Sequence, residues 1–327
     1  MSSDSPQPPI PSTISQQAQA ILAMPAQEQP EWPQDKEALA AMFDMINASI
    51  PPESAGPMVS SLYGAADTGV PCESELVKVN DVSVYVCTPE GVSTDDPRVF
   101  MTIHGAWTYG AGHLSRLGGE MVAGGLGVRT WSVDYRMPPR HPFPAPLDDC
   151  VAVYRKVLED HRPEDIIIGG MSGGANLTTA TILRAREEGL PLPAGAVIHS
   201  PPIDLTMSGD SYNINAAGDT TYTSDGLEKV FRLYLNGHDR TDPYVSPLFG
   251  DFTRGFPPSL LTAGTRDFLL SDTVRLHRKL RAAGVPAELH VWEAAPHFLF
   301  MGTAPEDLER VHETRRWVEE RFAAKHA

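Results

Sequence analysis

The sequence predicts an α/β fold, a mostly parallel sheet with helices on both faces. Three observations predict it. Apolar runs of strand length alternate with helix-patterned segments from residue 75 onward. One run, D-I-I-I-G-G, turns through M-S-G-G into A-N-L-T-T-A-T-I-L-R-A-R, a strand, tight turn and helix centred on Ser172. A chain of 327 residues can bury a core large enough for one big α/β domain or two domains.

The elements follow in order. The first dozen residues are rich in Ser, Pro and Gln and are expected to be mobile. Residues 14–24 carry apolar side chains at roughly helical spacing and stop at Pro25. Residues 36–50 place Leu39, Met42, Phe43, Met45 and Ile46 on one side, and Pro51-Pro52 ends that helix. Both helices precede any strand, so residues 1–74 read as an appendage to a domain spanning 75–327. Residues 76–79 and 82–87 flank Asn80-Asp81 and predict a hairpin. Buried strands are expected at 98–103 and 128–134. A helix at 147–159, the strand 165–170, a helix at 175–188 and a strand at 194–199 follow. The pattern closes with strand 258–263, helix 272–283, strand 287–292 and helix 305–324. There is no internal repeat.

Residues 203–235 break the alternation. Residues 207–225 are polar, and 226–235 read as a short helix. An insertion at about 203–237, together with the N-terminal helices, predicts a small cap over the C-terminal edge of the sheet. That edge is where open α/β sheets bind ligands.

Composition narrows the partners. The net charge of −16 disfavours nucleic acid and anionic membranes and fits a solvated surface. No run of about 18 apolar residues occurs, so no membrane span is expected. The N-terminus has neither a basic start nor an apolar run, so no secretory signal is expected. Cys72, Cys87 and Cys150 are too few and too scattered for a disulfide framework or a zinc site. They are expected to be free thiols in a reducing cytoplasm, the alternative being a Cys72–Cys87 pair.

Gly170-Met171-Ser172-Gly173-Gly174 fits G-x-S-x-G at a strand-to-helix turn, the setting of a nucleophile elbow. A serine hydroxyl is a poor nucleophile unless a base takes its proton and a third group orients the base. Elbow enzymes carry these in the order Ser, then Asp or Glu, then His. Of the downstream histidines, His277 and His312 lie in helices, His326 lies past the last helix, and His290 lies within a strand. His199 ends the strand after the elbow, and His238 precedes the favoured acids. His297, in E-A-A-P-H-F after the last strand, fits both the order and a loop at the sheet edge. T-A-G-T-R-D-F-L-L-S-D offers Asp267 as the acid. Asp272 sits where a helix cap is wanted, and Asp242 has no clear strand before it. For the oxyanion, Gly173 follows the nucleophile, and the loop His104-Gly105-Ala106-Trp107 follows the strand at 98–103.

These motifs together resemble the hormone-sensitive-lipase-like group of α/β-hydrolase esterases. H-G-A-W at His104–Trp107 stands for that family's H-G-G-G, and G-M-S-G-G for its G-D-S-A-G. Its Y-R-L-A-P-E-H-P-F-P-A is matched by Y-R-M-P-P-R-H-P-F-P-A from Tyr135 to Ala145. Its D-x-L-x-D is similar to Asp267-Phe268-Leu269-Leu270-Ser271-Asp272, with one residue extra. Asp242-Pro243 and Ser246-Pro247-Leu248 match a further segment, and Phe298 and Phe300 loosely match the H-x-F around the base. The resemblance covers roughly residues 75–327. It implies an eight-stranded α/β-hydrolase sheet with a helical cap, the triad Ser172, Asp267 and His297, and no metal or organic cofactor. By analogy the N–H groups of Gly105, Ala106 and Gly173 face the oxyanion, with Trp107 as a further candidate. It also implies a small-molecule ester substrate and allows a homodimer through the edge of the last strand.

The departures locate this chain's own features. Ala106 and Trp107 stand where the family has glycines, or one glycine is missing and Trp107 matches the aromatic that follows. The Trp107 indole is expected either beside the acyl pocket or packed under the cap. Met171 replaces an acidic residue beside the serine, and with Trp107 it is a candidate substrate-binding residue. Arg136 and His141 read as structural, Arg136 tying loops together through carboxylates. The expected activity is that of a serine carboxylesterase acting through an acyl-enzyme. The same triad would serve a lactone hydrolase or amide deacylase, and a non-catalytic small-molecule receptor is the reading from another class.

Overall fold

β1 (Cys72–Val79) and β2 (Val82–Pro89) pair antiparallel across the two-residue turn Asn80-Asp81. Asn80 takes φ 52°, the left-handed conformation that tight hairpins want and asparagine tolerates. The computed structural model describes residues 8–24, 31–215 and 224–324. β3 (Val99–Ile103), β4 (Thr130–Asp134), β5 (Ile166–Met171), β6 (Gly195–His199), β7 (Ser259–Gly264) and β8 (Ala287–Trp292) complete one eight-stranded sheet. Its order is β1-β2-β4-β3-β5-β6-β7-β8. β2 meets β4 antiparallel, and every pairing from β4 to β8 is parallel. This is the α/β-hydrolase fold. β3, β5, β6 and β7 are buried throughout, which is why they read as continuous apolar runs rather than alternating ones.

The helices are α1 (Gln16–Leu22), α2 (Lys36–Ser49), α3 (Gly56–Tyr63), α4 (His113–Leu126), α5 (Ala145–Asp160), α6 (Gly173–Glu187), α7 (Ser211–Ile214), α8 (Ser224–Leu235), α9 (Leu270–Ala282) and α10 (Pro305–Ala323). Neighbouring strand residues face opposite sides of the sheet, and the core divides accordingly. Ile166, Ile168, Ile198 and Leu261 pack with Val153 of α5, Ile182 of α6 and Leu276 of α9. Ile167, Val197 and Leu260 pack with Leu114 and Leu126 of α4 and Trp317 and Phe322 of α10.

Beyond the single turn α7, two helices carry no signal in the sequence pattern. α3 follows the double proline where the second N-terminal helix was expected to be the last. α4 reads H-L-S-R-L-G-G-E-M-V-A-G-G-L, and each glycine costs a helix about 1 kcal/mol relative to alanine. Packing overrides that propensity. A Cβ on Gly118 would lie 2.0 Å from the Tyr63 ring, so glycine lets α4 lie directly against α3. Gly118→Ala is expected to destabilise the protein by about 1–3 kcal/mol through this overpacking. A lowered urea midpoint at unchanged slope would show it.

α1 was expected to join the cap. It packs instead on α10 and the 293–304 loop, where Ile14, Ala18 and Leu22 meet Trp292, Ala295, Leu299 and Phe300. Ser15 adds hydrogen bonds to Glu306 through its N–H and its hydroxyl. Among the described residues, no helix is long and apolar enough to cross a membrane, and no group of three His, Cys, Asp or Glu side chains could hold a metal. Cys72, Cys87 and Cys150 are unpaired thiols. The start of the Ser/Pro/Gln segment, the Pro25 stop, part of the polar stretch at 207–225, and His326 lie outside the described residues.

Candidate active site

The end of β5 delivers Ser172 into the turn at φ 54°, ψ −122°, a strained conformation for a residue with a side chain. Two contacts explain the flanking glycines. A Cβ on Gly174 would sit 2.0 Å from the Ile103 carbonyl oxygen, and one on Gly170 would sit 2.6 Å from the Gly174 carbonyl. α6 therefore starts in direct backbone contact with the end of β3. The Ser172 N–H donates to the His199 carbonyl (2.8 Å), which fixes the turn to β6.

Ser172 Oγ lies 2.8 Å from His297 Nε2, and His297 Nδ1 lies 3.1 Å from Asp267 Oδ1. His297 and Asp267 are buried. Asp267 sits on the loop after β7 and His297 on the loop after β8. The two loops are tied to each other, since Arg266 N–H donates to the Ala295 carbonyl (3.0 Å) and Ala294 N–H to Thr265 Oγ1 (2.7 Å). Asp267 Oδ1 also accepts from Leu269 N–H at 2.8 Å. The rings of Phe268 and Phe298 flank the imidazole, with centroids 4.6 and 4.5 Å away. The structure thus brings together the three residues that chain order selects.

The rival acids and base are engaged elsewhere. Asp272 does not cap its helix, whose N-cap is Leu269. Its Oδ2 accepts from the Ile203 and Asp204 N–H groups and from Tyr212 Oη. Burial pushes its pKa up to about 7. Asp242 pairs with His238 Nε2 at 2.8 Å. The ring of His199 meets Thr262 Oγ1 at 2.8 Å, and burial with the Arg310 charge pushes its pKa down to about 3. A base that weak cannot draw a proton from serine at neutral pH.

The loop after β3 is held from several sides. The His104 ring stacks on Tyr135 at 4.2 Å, and Tyr135 Oη donates to the His104 carbonyl (3.0 Å). Burial pushes the His104 pKa down to about 4, so the ring stays neutral. Asn47 Oδ1, from α2, accepts the N–H groups of Gly110 (2.7 Å) and Ala111 (3.1 Å). The loop turns through Ala106 at φ 67° and Trp107 at φ 60°, both in the left-handed region. The N–H of Gly105 donates to the Leu62 carbonyl (2.7 Å) and that of Trp107 to the Gly105 carbonyl (2.9 Å). Both are committed within the scaffold, contrary to the expectation that they face the oxyanion. The N–H groups of Ala106 and Gly173 have no such bond among the described residues. Gly173 is also the first residue of α6, where the helix dipole favours negative charge.

Beside Ser172 is a cavity of about 20 Å³ lined by Ala106, Trp107, Leu227, Phe231, Phe268 and Phe298, among others. Trp107 lies against Gly173 and stacks on Tyr234 of α8, ring centroids 4.2 Å apart and 7° from parallel. Phe231 meets it edge-on at 6.0 Å. The indole lines the cavity and packs under α8 at once. Met171 does not line this cavity. It is fully buried, with its sulfur near Gly64 on the α3 side of the sheet, because neighbouring strand residues face opposite ways. Arg136 binds Asp149 through its backbone N–H and its guanidinium, as its structural reading requires.

Sequence reasoning missed Asn47, Ser200, Phe231 and Tyr234. The elements that carry or adjoin them were predicted, yet single polar or aromatic side chains at such positions carry no spacing signal. Only the long-range approach of α2, β6 and α8 gives them a place at the site.

Comparison with known proteins agrees with this architecture. A sequence profile of the α/β-hydrolase fold matches residues 100–301. An acetyl-hydrolase of Streptomyces hygroscopicus is 34% identical over 220 residues, 66% of this chain and 73% of that protein. An esterase of Acinetobacter venetianus is 36% identical over 162 residues, 49% of this chain and 53% of that protein. Among solved structures, esterase E25 superposes with a TM-score of 0.83 at 34% identity, covering 96% of each chain. An esterase of the bacterial hormone-sensitive lipase family superposes at 0.77 with 28% identity, covering 94% of this chain and 99% of that one. The chain therefore belongs to the hormone-sensitive-lipase-like group of the α/β-hydrolase family and is a carboxylic ester hydrolase.

Proposed function

We propose that the chain is a serine carboxylesterase working through an acyl-enzyme on small-molecule esters. The observation that carries this reading is the unbroken line from Ser172 Oγ through His297 to Asp267. Ser172 attacks the ester carbonyl as His297 Nε2 accepts its proton, and Asp267 stabilises the imidazolium. The Ala106 and Gly173 N–H groups hold the oxyanion of the tetrahedral intermediate. His297 then protonates the departing alcohol. Water, deprotonated by the same imidazole, releases the acid. A fluorophosphonate probe is expected to label Ser172 alone, as located by peptide mapping. Failure of wild-type protein to react would return the chain to the receptor reading. Esters are expected to outrun lactones and anilides of matched size, and a panel in which lactones lead would reassign the substrate.

The aromatic wall sets acyl length. A cavity of about 20 Å³ has room for little more than one water-sized group, which suits an acetyl methyl. The relative named for acetyl hydrolysis points the same way. Trp107→Ala is expected to raise kcat/KM for hexanoate relative to acetate esters by about tenfold or more, the scale of one or two methylenes in an apolar pocket. An unchanged ratio would move the acyl site elsewhere. The helices α2 and α8 act as the cap, α2 holding the oxyanion loop through Asn47 and α8 closing the acyl side. β8 is one of the two edge strands of the sheet, with Val291 exposed on it. That free edge would take a second copy of the chain, which sedimentation would detect.

A further inference from the structure

We propose that Ser200 is a positioning residue of the active site, fixing the carboxylate of Asp267 from the side opposite His297. The proposal rests on the reading of Ser172, His297 and Asp267 as the triad. It adds a residue that the motif pattern does not mark.

The Ser200 hydroxyl donates a hydrogen bond to Asp267 Oδ2. On the other oxygen, Oδ1 accepts from Leu269 N–H at 2.8 Å and faces His297 Nδ1 at 3.1 Å. A buried carboxylate needs donors on both oxygens to remain charged. Three donors from three segments also stop it rotating about its own bond. Only with that rotation stopped does Oδ1 stay aimed at the imidazole.

Ser200 is itself tightly held. It is buried, and its N–H donates to the Thr262 carbonyl at 2.9 Å. Its backbone sits at φ 43°, left-handed for a residue with a side chain, and Pro201-Pro202 follow. Such strain persists only where the surroundings over-determine the conformation. The preceding residue supplies the reason. The His199 carbonyl accepts the Ser172 N–H at 2.8 Å. The dipeptide His199-Ser200 at the end of β6 therefore grips both ends of the triad, the elbow through a carbonyl and the acid through a hydroxyl. Straightening this kink would release one grip or the other.

The sign of the effect follows from the charge. The hydroxyl takes part of the carboxylate's charge, and more of it when the imidazole is neutral than when the imidazolium already neutralises Asp267. Removing the hydroxyl therefore destabilises the neutral-imidazole state more, and His297 becomes the stronger base. The carboxylate also gains freedom to turn, so turnover falls. Substrate binding is untouched, because Ser200 is not among the residues lining the Ser172 cavity.

The test compares Ser200→Ala, Ser200→Gly and wild type by kcat, KM and the pH dependence of kcat/KM. Glycine removes the hydroxyl and also the left-handed strain, so it separates the two and favours a folded variant. Both variants are expected to lose about tenfold in kcat, the rate equivalent of one modest hydrogen bond. KM should stay within roughly twofold, and the acid limb should move up by roughly half a pH unit. Wild-type kcat with an unmoved acid limb in both variants would overturn the proposal. So would a loss confined to KM, or a loss in the alanine variant that glycine abolishes. Fluorophosphonate labelling runs alongside. Absent labelling of wild type at Ser172 refutes the triad reading itself, whereas labelled variants with unaltered kinetics refute only the role of Ser200.

Discussion

Ser172→Ala is expected to lower turnover of a short p-nitrophenyl ester by about 10⁶-fold, the loss seen when a serine hydrolase loses its nucleophile. Stability should barely change, because the hydroxyl is only partly buried and makes its hydrogen bond to His297 rather than to the scaffold. The strained turn survives, since it is held by the Ser172 N–H on the His199 carbonyl and by the glycines against Ile103, all backbone features that alanine keeps. On the proposed mechanism, the remaining rate over water comes from the Ala106 and Gly173 N–H groups, which the substitution leaves in place. The measurement is kcat on freshly purified variant, with fluorophosphonate labelling as a control for contaminating wild type. Wild-type turnover in Ser172→Ala would remove Ser172 from the mechanism and the elbow with it.

How much of this site could be read from the chain depended on whether the backbone or a distant side chain does the work. The elbow is legible because its constraint is local. Gly170 and Gly174 must lack side chains for α6 to start against β3, so the pattern appears within five residues. Asp267 and His297 are legible because the fold fixes their order and places each on the loop just after a predicted strand, β7 for the one and β8 for the other. α4 is illegible for the opposite reason. Its glycines look like helix breakers until residues far away in the chain are seen to occupy the space their side chains would fill, Tyr63, 55 residues earlier, at Gly118 and Val311 at Gly125. The oxyanion loop was half legible. Its position followed from the strand before it, but which N–H groups remain free depended on the Leu62 carbonyl, at the end of a helix that no periodicity announced. Met171 failed as a substrate contact because a residue's motif neighbours do not decide which side of the sheet its side chain takes. Strand alternation does, and it turns Met171 toward α3.

Asp267→Asn separates charge from geometry, and here the geometry should survive. The amide must place one oxygen and one NH₂ group where the carboxylate has two oxygens. At the Oδ1 position an NH₂ group would oppose the Leu269 N–H and the donating Nδ1–H of His297. At the Oδ2 position it would face the Ser200 hydroxyl, which can rotate and accept. The amide oxygen therefore settles toward His297, and the imidazole keeps its Nδ1–H tautomer with Nε2 free to act as base. What is lost is the negative charge that stabilises the imidazolium in the transition state. Turnover is expected to fall by roughly 10⁴, the scale of loss measured when the acid of a serine triad is replaced. The acid limb of kcat/KM should move down, since an imidazolium without its counter-charge gives up its proton more readily. That direction is opposite to the one expected for Ser200→Ala. In the double variant Asp267→Asn with Ser200→Ala the amide NH₂ loses its acceptor, the preference between its two orientations weakens, and turnover should fall below that of Asp267→Asn alone. Pre-steady-state acylation rates across pH would check both signs, and an acid limb moving the same way in both single variants would refute this account of how Asp267 and Ser200 divide the charge.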